Sequence, residues 1–71
     1  MKMQLTVRTF TGGVSIVAQS DWAECTQTEF DDLAEFSATM AKQGHYMTVA
    51  NTIIPGEFLR NHCVIDVRSE D

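Results

Sequence analysis

Positive charge is scarce in this chain. Five basic residues stand against ten acidic ones, leaving a net charge of −5. The bases (Lys2, Arg8, Lys42, Arg60 and Arg68) are scattered singly. Nucleic-acid binding draws much of its strength from Lys and Arg neutralising phosphates, so direct contact with DNA or RNA is not expected. No basic amphipathic helix points to a membrane surface. Long apolar runs are missing too, and none approaches the ~20 residues of a membrane span. Met1-Lys2-Met3-Gln4-Leu5 leads into alternation rather than an apolar leader core, so a cytoplasmic location is expected. Cysteine is limited to Cys25 and Cys63, with no CxxC pair, and both are expected as thiols.

The chemistry-bearing motifs are equally thin. Gly12-Gly13 fits neither G-x-G-x-x-G nor the P-loop, and it joins two strands rather than a strand and a helix. No G-x-S-x-G is present. A closed zinc site wants four ligands in paired short spacings. His45, His62, Cys25 and Cys63 do not supply them, because His62 and Cys63 are adjacent and would point to opposite faces of a strand. A Cys63–His45 nucleophile pair could arise only through the fold. Neither a metal nor any other cofactor is expected, and no catalytic set is assigned.

What is there is a globular composition, 44% hydrophobic and 21% charged over 71 residues. That is one domain, spanning 1–71 with 69–71 as a polar tail. Met3, Leu5 and Val7 alternate with polar residues and read as a half-buried strand. Thr11-Gly12-Gly13 is a hairpin turn, and Val14 to Ala18 the return strand. Gln19 to Cys25 reads as a connection, in which Asp21 and Glu24 stand at capping-box spacing, so that Ser20 to Glu24 could form one helical turn.

Thr26-Gln27-Thr28-Glu29 has the S/T-x-x-E capping-box form. Behind it Phe30, Leu33, Ala34, Ser37, Met40 and Ala41 keep to one helical face, which predicts a helix over about 27–43. Gly44 is expected as its left-handed C-cap. Tyr46 to Ala50 reads as a strand that could reach Ile53, and Pro55-Gly56 as a type II turn. Residues 57–62 fit either strand or helical turn, and Cys63 to Arg68 is a last strand.

The expected fold is therefore α+β, in ββαββ order, with one amphipathic helix packed on an antiparallel sheet. One helix covers one face. The other would carry Phe10, Val17 and either Phe58 or Val64, and would need a cover, either the connecting loops or another molecule, which is the main reason to expect a homodimer or a partner. With basic neighbours missing, Phe10, Tyr46 and Phe58 are expected as sheet core rather than base-stacking platforms.

Glu29, Asp31, Asp32 and Glu35 cluster at the helix start. Acids there favour the helix dipole and solvate an outer face. The less favoured reading is a docking face for a partner with a basic surface. Trp22 and Phe36 either seal the core or anchor a partner. In size and charge alone, the chain is similar to phage and mobile-element proteins that block host machinery, including anti-CRISPR and DNA-mimic inhibitors. That resemblance implies an inhibitor or accessory factor that occupies a protein surface, of the kind that blocks a host nucleic-acid-handling complex. The alternatives are a structural homodimer without independent activity and a small thiol- or histidine-dependent enzyme.

Overall fold

The computed structural model describes residues 1–10 and 15–70. The chain runs β1 (Lys2–Thr9), β2 (Ser15–Gln19), β3 (Ala23–Glu24), α1 (Gln27–Gln43), β4 (Tyr46–Val49), β5 (Thr52–Pro55), α2 (Gly56–His62) and β6 (Cys63–Glu70). It is an α+β fold of two helices and two antiparallel sheets. In the larger sheet β1 is central. One edge of β1 pairs with β6 along its whole length, from Lys2↔Glu70 to Thr9↔Cys63. The other edge pairs with β2 and then with β3. Ser20 stitches the gap between those two: its N–H donates to Leu5 O at 2.9 Å and its Oγ accepts from Leu5 N–H at 2.9 Å.

The first hairpin forms as its alternation predicts, while its turn, Thr11-Gly12-Gly13, lies outside the described residues. A bulge interrupts β2: Val7 pairs with Ala18, but Arg8 pairs with Ile16. The extra residue, Val17, packs against the core and not on the outer face where it was expected. The capped turn that Ser20–Glu24 could form is also corrected. Ala23 and Glu24 extend along Met3 and Lys2, and Cys25 N–H donates to Met1 O at 2.9 Å. An open stretch of strand edge offered these backbone groups partners that a lone helical turn could not match. Ser69 and Glu70, expected as tail, are the last rungs of β6 for the same reason.

Helix α1 matches its predicted bounds. Thr26 Oγ1 accepts from Glu29 N–H at 3.2 Å, and Glu29 Oε1 accepts from Thr26 N–H at 2.9 Å, which completes the capping box. Gly44 ends the helix by donating its N–H to Met40 O. It does so with extended backbone, φ −72° and ψ 147°, rather than left-handed. The chain leaves α1 straight into β4, which requires an extended exit. Left-handed backbone falls instead at Ala50 (φ 48°) and Asn51 (φ 67°). These two residues lie between the paired Val49 and Thr52, so they form a two-residue turn of type I′ shape. The strand from Tyr46 therefore stops at Val49 and returns as β5.

Pro55-Gly56 is not a type II turn. Pro55 is the N-cap of α2 and Gly56 its first residue, so 57–62 is helical. Gly56 N–H donates to His45 O at 2.8 Å, and a Cβ on Gly56 would lie 1.9 Å from Gly44 O. This contact ties the start of α2 to the exit of α1.

The core is built from Leu5 and Val7 of β1, Ala18 of β2, Met47 and Val49 of β4, Ile54 of β5 and Leu59 of α2. Leu33 and Met40 of α1 and Ile65 and Val67 of β6 close around it.

Candidate interaction surface

The two faces of the larger sheet differ in kind. Met3, Leu5 and Val7 of β1 point to the core side, and Gln4, Thr6 and Arg8 to the other. That outer side is mostly a hydrogen-bonded polar surface, not a greasy one. Arg68 donates to Gln4 Oε1 at 2.8 Å, Gln19 donates to Thr6 Oγ1 at 3.0 Å, and Arg8 Nε lies 2.7 Å from Asp66 Oδ2. Gln4 and Thr6 are buried beneath these longer side chains. The expected apolar outer face shrinks to one end, where Phe10 and Val64 do lie, joined by Ile16. Phe58 sits on α2 against His62, with ring centroids 5.3 Å apart. The expectation that this face needs a greasy cover is thus corrected by the polar residues alternating along β1 and β6.

Exposed apolar surface gathers instead beside α1. Phe30, Leu33, Ala34, Ser37, Met40 and Ala41 are the only α1 residues withdrawn from solvent, as the helical spacing predicts. Phe36 stands one step outside that stripe and is 52% exposed. It separates two adjoining grooves. One, of about 520 Å³, runs between Phe36, Met40, Tyr46 and Met47. The other, of about 290 Å³, runs between Leu33, Phe36, Met47, Met3 and Leu5. The strand period turns Met47 and Val49 inward and Tyr46 and Thr48 outward. Tyr46, 59% exposed, therefore stands at the rim while Met47 forms the floor. A segment laid in these grooves would meet a mostly apolar wall with aromatic edges, interrupted by Thr48, by Gln43 and His45 in the first groove and by Ser20 and Asp21 in the second.

All four acids of the cluster are exposed. Glu29 is occupied by the capping box, and Asp31 accepts from Gln27 Nε2 at 3.0 Å. At 100° per residue, Glu29 and Asp32 fall on the same flank as Phe36, while Asp31 and Glu35 lie further round. Of the predicted site residues on α1, Phe36 alone lines the grooves; Glu29 and Asp32 share its flank of the helix without lining either one. Trp22, 40% exposed, does not line either groove. Phe10, Tyr46 and Phe58, expected as sheet core, are all exposed, and in three separate places: just past the end of β1, on β4 and on α2. Sequence reasoning kept Tyr46 in the core and so missed it as a groove residue. Its exposure was readable from strand parity, but the groove depends on how β4 sits beside α1, which no local pattern encodes.

The thiols and imidazoles are dispersed. Cys63 lines a third groove, of about 470 Å³, between β6 and the small residues Ala34, Ala38 and Ala41 of α1. Burial pushes its thiol pKa up, the opposite of what an activated nucleophile needs. His45 lines the groove beside Tyr46 instead. Among the described residues no three His, Cys, Asp or Glu side chains converge. Among them, too, no helix is long and apolar enough to cross a membrane. In comparisons with known proteins, no family model, curated protein or solved structure matches the chain.

Proposed function

We propose that this protein is a protein–protein interaction module, an inhibitor or accessory factor that acts by occupying a surface on its partner. The observation that carries this reading is the pair of apolar grooves along α1, with Phe36 and Tyr46 held half in solvent at their rims. Large aromatics exposed beside an apolar trough supply anchor residues, which dominate binding energy when a partner covers them. Glu29 and Asp32 beside Phe36 give the flank a negative sign, so the partner is a protein with apolar anchors bordered by Lys or Arg.

The experiment is a capture from native lysate with the wild-type chain and with Phe36→Ser/Tyr46→Ser as parallel baits. Both side chains are more than half exposed, so the double variant should keep its fold. The wild type should retain a protein that the variant loses, with Kd weakened roughly thirtyfold, as loss of about 2 kcal/mol of anchoring implies. A partner held equally by both baits would refute the grooves as the docking site. Neutralising Asp31, Asp32 and Glu35 while keeping the capping Glu29 should slow association and flatten its salt dependence.

A further inference from the structure

Strand β6 pairs with β1 on one side only; among the described residues nothing pairs with its other edge. An eight-residue strand with an open edge is a template for another strand. Its hydrogen-bond phase is fixed. Phe10 N–H donates to His62 O, opposite it in the β1–β6 register, so His62, Val64, Asp66, Arg68 and Glu70 turn their backbone groups toward β1. The bonds between Leu5 and Ser20 agree with this phase, because they turn the odd residues of β1 the other way. Ile65, Val67 and Ser69 therefore direct both N–H and C=O outward.

We propose that this edge pairs with the same edge of a second copy, antiparallel about a two-fold axis at Val67. In that register Val67 faces its symmetry mate, and Ile65 faces Ser69 of the other copy as a hydrogen-bonded pair. Asp66 then faces Arg68, and Arg68 faces Asp66, as the closer, non-hydrogen-bonded pairs. The two charges are complementary, and both lie on the outer polar face with the Arg8–Asp66 ion pair. The flanking registers are worse: an axis at Asp66 sets that carboxylate against itself, and an axis at Arg68 does the same to the guanidinium. An axis at Ile65 places Asp66 opposite Val64.

On the core side the groove between β6 and Ala34, Ala38 and Ala41 runs along this same edge. Small side chains there let the two α1 helices approach over a continuous sheet. The edge flanks α1 on the side away from Phe36, so the dimer stands or falls apart from the groove reading. It would present two copies of the groove to a partner.

Sedimentation equilibrium tests the pairing, with circular dichroism melts to verify folding. The wild type should sediment at twice the chain mass. Asp66→Arg alone brings two guanidinium groups face to face across the axis, and Arg68→Asp alone brings two carboxylates face to face. Each should weaken dimerisation roughly thirtyfold. Mixed together, the two variants again place opposite charges across the axis and should recover the dimer as a heterodimer. Val67→Pro removes an outward N–H without touching the β1 ladder and should give a monomer. A monomeric wild type, folded single variants that fail to dimerise when mixed, or a folded Val67→Pro dimer would each overturn the proposal. Should Val67→Pro unfold, the mixing experiment decides.

Discussion

Gly56→Ala sets two opposed effects against each other. Gly56 opens α2 at a negative φ, so helix propensity alone would make alanine better by about 0.5–1 kcal/mol. The contact geometry says otherwise. The added Cβ would lie 1.9 Å from Gly44 O, 2.9 Å from Gly44 C and 3.0 Å from His45 C. All three are backbone atoms, so no side chain can swing aside. Relief requires α2 to move away from the exit of α1, which stretches the 2.8 Å Gly56 N–H to His45 O bond. It also strains the 2.7 Å bond from Arg60 to Gly44 O. Overpacking of this kind costs about 1–3 kcal/mol, and a lost backbone hydrogen bond about 1 more. The net expectation is destabilisation by about 2 kcal/mol, from a total on the order of 4–10 for a chain of this length. The melting temperature should fall by roughly 8–16 °C. Urea titration followed by circular dichroism reads this directly. A variant as stable as the wild type, or more so, would refute the claim that the Gly44–Gly56 contact holds α2 in place.

Other outcomes rest on local features. Thr26→Ala removes the cap of α1 and should cost about 1 kcal/mol by urea titration, whereas Thr28→Ala, exposed in the first turn, should change little. Replacing Ala50-Asn51 by Asn-Gly supplies the residues that a turn with both φ positive favours; the urea midpoint should rise by the equivalent of about 1 kcal/mol. Ser37 Oγ is buried without a hydrogen-bond partner among the described residues, so Ser37→Ala should stabilise by about 1 kcal/mol; a loss of stability would mean that the hydroxyl is satisfied. Cys63 should alkylate with iodoacetamide more slowly than an unstructured peptide thiol, with a pH midpoint above the ordinary thiol value. Because its folded pKa is raised, the thiol's contribution to stability is present below the unfolded thiol's pKa and is lost as pH rises through the folded one.

The legible parts of this fold are those written in periodicity and caps. Alternation at Met3, Leu5 and Val7 and the helical spacing from Phe30 to Ala41 each reported a true buried face. The capping box at Thr26 fixed the start of α1. What misled were short signals whose outcome depends on distant backbone. Asp21 and Glu24 had capping spacing, but the open edge of β1 held that segment extended. Pro55-Gly56 carried a turn signature, yet Gly56 was needed where α2 meets Gly44. Ala50-Asn51 lacks the Asn-Gly sequence that usually announces its turn. The candidate site followed the same division. Phe36 at the border of the apolar stripe was visible from helix geometry, while Tyr46 joined it only because the small hairpin lies beside α1.

Of the strands in the larger sheet, the central one is synthesised first and its longest partner last, so Lys2 must meet Glu70 and Thr9 must meet Cys63. During translation β1 leaves the ribosome with its main hydrogen-bonding partner still unmade, and α1 and the β4–β5 hairpin emerge with no finished sheet to dock on. Closure over nearly the whole domain comes late and carries the entropy of a long loop. The nascent chain must therefore keep Leu5, Val7 and Met47 from wrong contacts until β6 clears the exit tunnel, and a premature stop within that strand would yield a polypeptide that never closes.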